Sequence, residues 1–151
     1  MKSIKDQDFT GQLFARYPAL PELGVKQFRS APTLAVNSTK VEHVLPNAFA
    51  SYYFEASGKN IAQKLNSTLE VEIWHSDRLK KDVMLGVTKI ELNQILNLAL
   101  RKTRESYARV FDAYVPLDAV DEDRKPQKKI GALRVIIYLE DLGPLSLLKE
   151  R

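Results

Sequence analysis

The sequence predicts an all-β fold, an antiparallel β-sandwich interrupted by one short helix, and three observations point to it. Several segments alternate apolar and polar residues with a period of two, as strands do when one face is buried. A single segment, around Ile95, shows helical spacing instead. With so few helical segments, a parallel sheet would lack the cover it needs on both faces.

The elements follow in chain order. Residues 1–23 end in Pro18-Ala19-Leu20-Pro21-Glu22-Leu23. Paired prolines disfavour both helix and central strand, so this part is expected as a lead-in that packs on the domain or stays loose. Thr33 to Val36 and Ala48 to Ser57 (AFASYYFEAS) are rich in aromatic and β-branched residues and read as extended segments. In STLEVEIW, Leu69, Val71 and Ile73 fall on one face and Glu70, Glu72 and Trp74 on the other. In ALRVIIYLED, Leu133, Val135, Ile137 and Leu139 share a face opposite Arg134, Ile136 and Tyr138. Val83 to Ile90 and Val110 to Val115 read as two more strands. Between them Leu92, Ile95, Leu96 and Ala99 follow helical spacing, with Asn93 as N-cap, which predicts a helix over residues 93–108.

Composition narrows the function classes. A chain of 151 residues with 44% hydrophobic and 28% charged residues suits one soluble globular domain. No apolar run approaches the roughly 20 residues of a membrane span, and MKSIKDQDFTGQ has no apolar core of a secretory signal. The absence of cysteine excludes disulfides and thiolate metal sites and fits the cytoplasm. A net charge of +4 falls short of a nucleic-acid-binding signature. The charge is unevenly placed, however. Residues 78–104 hold seven basic residues against Asp82 and Glu91, an excess of five. Such an excess can steer an acidic partner, or it can be a solvated face.

Catalytic chemistry finds no support. The chain has no cysteine nucleophile, no Gly-Xaa-Ser-Xaa-Gly turn, no phosphate-binding glycine loop and no His-Glu-Xaa-Xaa-His helix. His43 and His75 sit in different segments without a carboxylate at a recognisable spacing. Asp121-Glu122-Asp123 lies amid Arg124, Lys125, Lys128 and Lys129 and reads as a charged hairpin loop. The expectation is a protein that is not an enzyme and has neither cofactor nor metal.

Residues 72–86, EIWHSDRLKKDVMLG, resemble the calcium loop of C2 domains, which are eight-stranded β-sandwiches. In calcium-binding members this loop carries several aspartates. Here His75 takes the place of the first, Asp77 keeps the second, and Val83 stands at the later one with Asp82 a residue away. The other ligand-bearing loop should precede the SYYF strand, yet Val36 to Asn47 contains no aspartate. Calcium needs six to eight oxygen ligands, so the loop reads as a remnant and the domain as calcium-independent.

The likeness extends further. VEHVLPNAFASYYFEAS, LEVEIWHSDRLKKDVMLGVTKIELNQIL and LRVIIYLEDLGPL together resemble the third C2 domain of the centrosomal protein 120 family. Its pattern is met here by Glu72, Trp74-His75, Asp77-Arg78, Lys81-Asp82 and Met84-Leu85-Gly86. Ile90, Leu92, Gln94, Ile95 and Leu96 follow, and Leu139, Glu140, Asp141 and Gly143 close it. The chain departs from the pattern over Asn97 to Ala108 and over residues 121–129. The resemblance implies a C2 domain over residues 24–145, with 146–151 starting a linker toward a coiled coil. It also implies a place in the cytoskeleton at the centrosome and centriole, and a role in centriole assembly, elongation and ciliogenesis. Partners would be centriolar proteins, tubulin or microtubules among them. The expected contact is a basic patch of Arg78, Lys80, Lys81, Arg101, Lys102 and Arg104, on the assumption that loop and helix end meet at one end of the sandwich. The alternative is a C2 domain that docks on anionic phospholipid through the same cations. Against it, the loop tips lack an exposed apolar pair to insert.

Overall fold

A computed structural model describes residues 11–36, 42–76, 80–104 and 106–141. Eight strands lie among them: β1 (Gly11–Tyr17), β2 (Phe28–Arg29), β3 (Leu34–Val36), β4 (Thr68–Ser76), β5 (Val83–Glu91), β6 (Leu100–Lys102), β7 (Tyr107–Val120) and β8 (Pro126–Asp141). They form one antiparallel sheet in the order β2-β1-β4-β5-β7-β6, with β3 added to β1 and β8 to β7. The fold is all-β, as expected.

The sheet folds over itself at β5. Only Val87 and Asp118 are partnered between β5 and β7. Gly86 stands at this crease, where a Cβ would lie 2.9 Å from the Asp118 carbonyl oxygen. Thr88, fully buried, donates its hydroxyl to the Pro116 carbonyl at 3.1 Å. The long β7–β8 ribbon thus turns back across the face of β1, β4 and β5. Phe111, Val115, Leu117, Leu133, Val135 and Ile137 pack on Ala15, Val71, Ile73 and Ile90, making a sandwich-like core. Leu69, Val71, Ile73, Leu133, Val135 and Ile137 all face it, in the register that their alternation predicts.

A second cluster closes one end. Leu23, Leu65, Leu92 and Ile95 are buried together, supplied by the 3-10 turn Pro21–Leu23, the residue just after the helix α1 (Ile61–Lys64) and the 3-10 helix Leu92–Asn97. This is where the structure departs from the predicted helix over residues 93–108. Helical backbone stops at Asn97, and Leu100–Lys102 pairs with Tyr107–Arg109 as β6. Thr103 and Ser106 close the turn through the Thr103 amide and hydroxyl. The i, i+3 pair Leu92 and Ile95 is satisfied by a 3-10 turn, and the available edge of β7 takes the rest. Asn93 lies inside the turn rather than capping it, and the cap position is Glu91.

Two further expectations change. Gly11–Tyr17, read as lead-in, is a strand between β2 or β3 on one side and β4 on the other. Phe14 and Ala15 are buried on opposite faces, so both sides are covered, and the two prolines lie just past its end. Ala48–Ser57, read as a strand, pairs with nothing regular. It keeps strand-like alternation all the same. Phe54 enters the second cluster, and the Tyr52 hydroxyl meets that of Tyr17 at 2.6 Å, while Tyr53 points outward. The Tyr53 carbonyl lies where a Cβ on Gly24 would be, 2.3 Å away, and Gly24 has φ +66°. Only glycine meets both demands there.

Candidate interaction surfaces

The sheet face opposite the core carries an ordered set of charges. β1 and β4 are in register with Arg16 beside Glu72 and Phe14 beside Trp74, and Glu70 sits beside Lys89 of β5. Glu72 has a side chain only 7% exposed and accepts three donors. Arg16 Nε and Trp74 Nε1 reach Oε1, and an Arg124 guanidinium nitrogen reaches Oε2, each at 3.0 Å. The other Arg124 nitrogen binds Glu70 at 3.0 Å, and Lys89 approaches Glu70 at 3.6 Å. Burial pushes the Glu72 carboxyl up, but hydrogen bonds from Trp74, Arg124 and Arg16 outweigh it and hold it below the usual carboxylate range. Stacked groups extend the row: Arg16 lies 4.6 Å from the Trp74 ring, Trp74 stacks on Phe14, and Arg29 lies 3.9 Å over Phe14.

Arg124 is delivered by the charged hairpin between β7 and β8. Asp121 Oδ1 accepts the amides of Asp123 and Lys125, both at 2.9 Å, and Arg124 takes φ 63°. The loop is a charged hairpin, as its sequence suggests, but its arginine turns inward to Glu70 and Glu72. Sequence reasoning placed Glu72 on a solvent face and missed Arg16 altogether. The available signal was the pairing of a carboxylate with tryptophan two residues on, a same-face neighbour on a strand.

The five predicted cations among the described residues fall into two groups. Arg78 lies outside the described residues. Lys80 and Lys81 are exposed in the turn before β5, at the end of the sheet shared with the β7–β8 hairpin, since β5 runs antiparallel to β7 with Val87 beside Asp118. Arg101 and Lys102 are exposed on β6, beside Ala108 and Tyr107 at the opposite end of β7, and exposed Arg104 follows in the turn. A strand of the 14 residues of β7 is about 45 Å long when straight. The assumption behind a single patch came from the long helix, and it fails with it. The β6–β7 hairpin carries its cations away from the β4–β5 loop.

In the stretch that resembles a calcium loop, Asp82 lies 3.9 Å from Arg29 and Asp77 is outside the described residues. His75 is in β4, partnered with Val83 across the ladder. On the outer face of the β7–β8 ribbon, Arg134 binds Asp112 through two bonds of 3.0 and 2.9 Å. Those bonds hold the Asp112 carboxyl below its ordinary value, and Arg101 adds to the same effect. Beside the pair, Tyr114, Ile136 and Tyr138 are exposed.

An all-β domain with a folded, sandwich-like sheet is the class that these features define. No protein-family model matches the chain. In a 111-residue alignment that covers 68% of its length, it is 32% identical to the centrosomal protein of 120 kDa of Xenopus tropicalis. Over the same extent it is 28% identical to that of Homo sapiens and 29% to that of Bos taurus. The chain spans 11 to 12% of the length of these relatives. The likeness to the centrosomal protein 120 family is therefore shown, and it supports a centrosomal location. Two features of the family-like pattern have a physical account here: Trp74 donates to Glu72, and Gly86 admits the Asp118 carbonyl at the crease.

Proposed function

We propose that the chain is a non-catalytic, calcium-independent C2 domain through which a centrosomal protein binds other proteins during centriole assembly, elongation and ciliogenesis. The observation that carries this reading is the 111-residue similarity to centrosomal proteins of 120 kDa. Calcium independence rests on His75 and Val83 standing at aspartate positions and on the aspartate-free stretch from Val36 to Asn47. The ion pair of Asp82 with Arg29 agrees with it.

The contact surface we favour is the β6–β7 hairpin with Arg101, Lys102 and Arg104, facing an acidic centriolar protein or the acidic exterior of tubulin. Lys80 and Lys81 form a second basic end. A basic surface of this kind speeds encounter and sets specificity more than it adds affinity. Affinity purification of the chain from ciliated cells, with wild type compared against Arg101→Glu/Lys102→Glu/Arg104→Glu, tests the reading. Centriolar proteins recovered with wild type and lost with the variant support it. Recovery of no centriolar protein by wild type overturns it.

Docking on anionic phospholipid is the second reading, favoured by the exposed cations alone. Their placement at two ends of the sheet weakens it, because a flat bilayer would meet one end at a time. Pelleting with phosphoinositide vesicles in the absence of any protein partner separates the two.

A further inference from the structure

The outer edge of β8 is long, and no described strand covers it. β8 runs for 16 residues and pairs with β7 alone among the described residues. Sixteen residues span about 50 Å, well beyond the usual strand of 3–10 residues. A bare edge of that length is a template for another strand, and natural proteins guard such edges with lysine, proline and bulges.

Here the guarding is one-sided. Pro126, Lys128 and Lys129 occupy the start of β8, where the register with β7 also shifts twice. From Gly131 to Leu139 the strand has no lysine, no proline and no register shift. That stretch shows exposed Ile136 and Tyr138 on its outer face, and its one cation, Arg134, is already held by Asp112. The strand then ends in Glu140-Asp141. Its charge therefore runs from basic to acidic along its length.

A strand with that polarity matches itself in one orientation. We infer that β8 pairs antiparallel with β8 of a second copy, about a two-fold axis at Arg134, which keeps the outer faces of both ribbons on one side. Lys128 of each copy then lies opposite Glu140 of the other, with Lys129 and Asp141 at the same two ends. Parallel pairing would set lysine against lysine and acid against acid, which is destabilising across strands. A two-fold axis makes the contact isologous and closed, so the product is a dimer rather than a fibre. The two ribbons join into one wider sheet, with Ile136 and Tyr138 of both copies near the axis. Each Arg134 enters already neutralised by Asp112, which limits repulsion at the centre.

Sedimentation velocity of the 151-residue chain over a wide concentration range tests this, with two charge variants. Wild type is expected to move from monomer to dimer as concentration rises. Lys128→Glu/Lys129→Glu and Glu140→Lys/Asp141→Lys are each expected to remain monomeric, since each opposes like charges at both ends. An equimolar mixture of the two restores opposite charges at both ends and is expected to recover the dimer mass. A wild type that stays monomeric throughout overturns the inference. So does a dimer that neither variant weakens, or a pair of monomeric variants that mixing does not rescue.

Discussion

Glu72 and Arg124 meet at 3.0 Å although 52 residues separate them in the chain. The contact ties the hairpin between β7 and β8 to the middle of β4, on the side away from the core. Arg124→Ala leaves Glu72 with Arg16 and Trp74 as donors and Glu70 with Lys89. Because Arg124 is itself partly exposed, a loss of about 1–2 kcal/mol is expected. Urea unfolding checks it, and a cycle with Glu72→Gln isolates the pairwise coupling.

The same carboxylate predicts a pH dependence. Its folded-state pKa is lowered, from an unfolded value of about 4.3. Its contribution is complete above the unfolded value and is lost as pH falls through the folded one. The stability gap between wild type and Glu72→Gln should therefore be constant near neutrality and narrow on acidification below about pH 4.3. A gap that persists unchanged into the acid limb would show that Glu72 is not held as an anion.

Gly86→Ala should destabilise by about 1–3 kcal/mol, since overpacking forces a shift. The new methyl meets the Asp118 carbonyl at 2.9 Å and Ile130 Cδ1 at 3.0 Å, and only the side chain can move aside. Gly24→Ala should cost more, because it adds a φ of +66° to a 2.3 Å contact with backbone. Thermal melting ranks the two.

Val71→Asp and Ile137→Asp place a charge against the core between β4 and the β7–β8 ribbon. Neither has a cation within that apolar cluster to pair with, so soluble expression should fail. A folded Val71→Asp protein of near-normal stability would refute the strand register.

Calcium and its chelator should leave the melting temperature unchanged. A bound ion at a hundredfold excess over its dissociation constant would add about 2.7 kcal/mol, a rise of several degrees. The measurement is a melt in millimolar calcium against one in chelator.

Charge reversal at Arg101, Lys102 and Arg104 should lower partner affinity, steeply so at low salt, without changing stability. Reversal at Lys80 and Lys81 should act independently of it, because the two groups lie at opposite ends of the sheet. Partner binding measured for both sets and their combination checks the independence.

Period-two alternation was enough to assign β4 and β8 and the core face of each, because one side of each is apolar and a one-residue slip would turn it to water, and β5 and β7 were legible as strands without a face. The family likeness was legible too, since it rests on the order and spacing of residues rather than on contacts. What failed to show was whatever depends on a neighbour. β1 hides its alternation because Phe14 and Ala15 are buried on opposite faces. The stretch from Asn93 to Ala108 has helical spacing, yet it became a 3-10 turn and a hairpin once the edge of β7 stood beside it. Glu72 reads as a solvent-facing carboxylate until Arg16 and Arg124 arrive from remote segments. Two basic clusters adjacent in sequence were sent to opposite ends of the sheet by the direction of two strands. Local periodicity reports which face of an element is apolar; only the folded sheet decides which elements and charges meet.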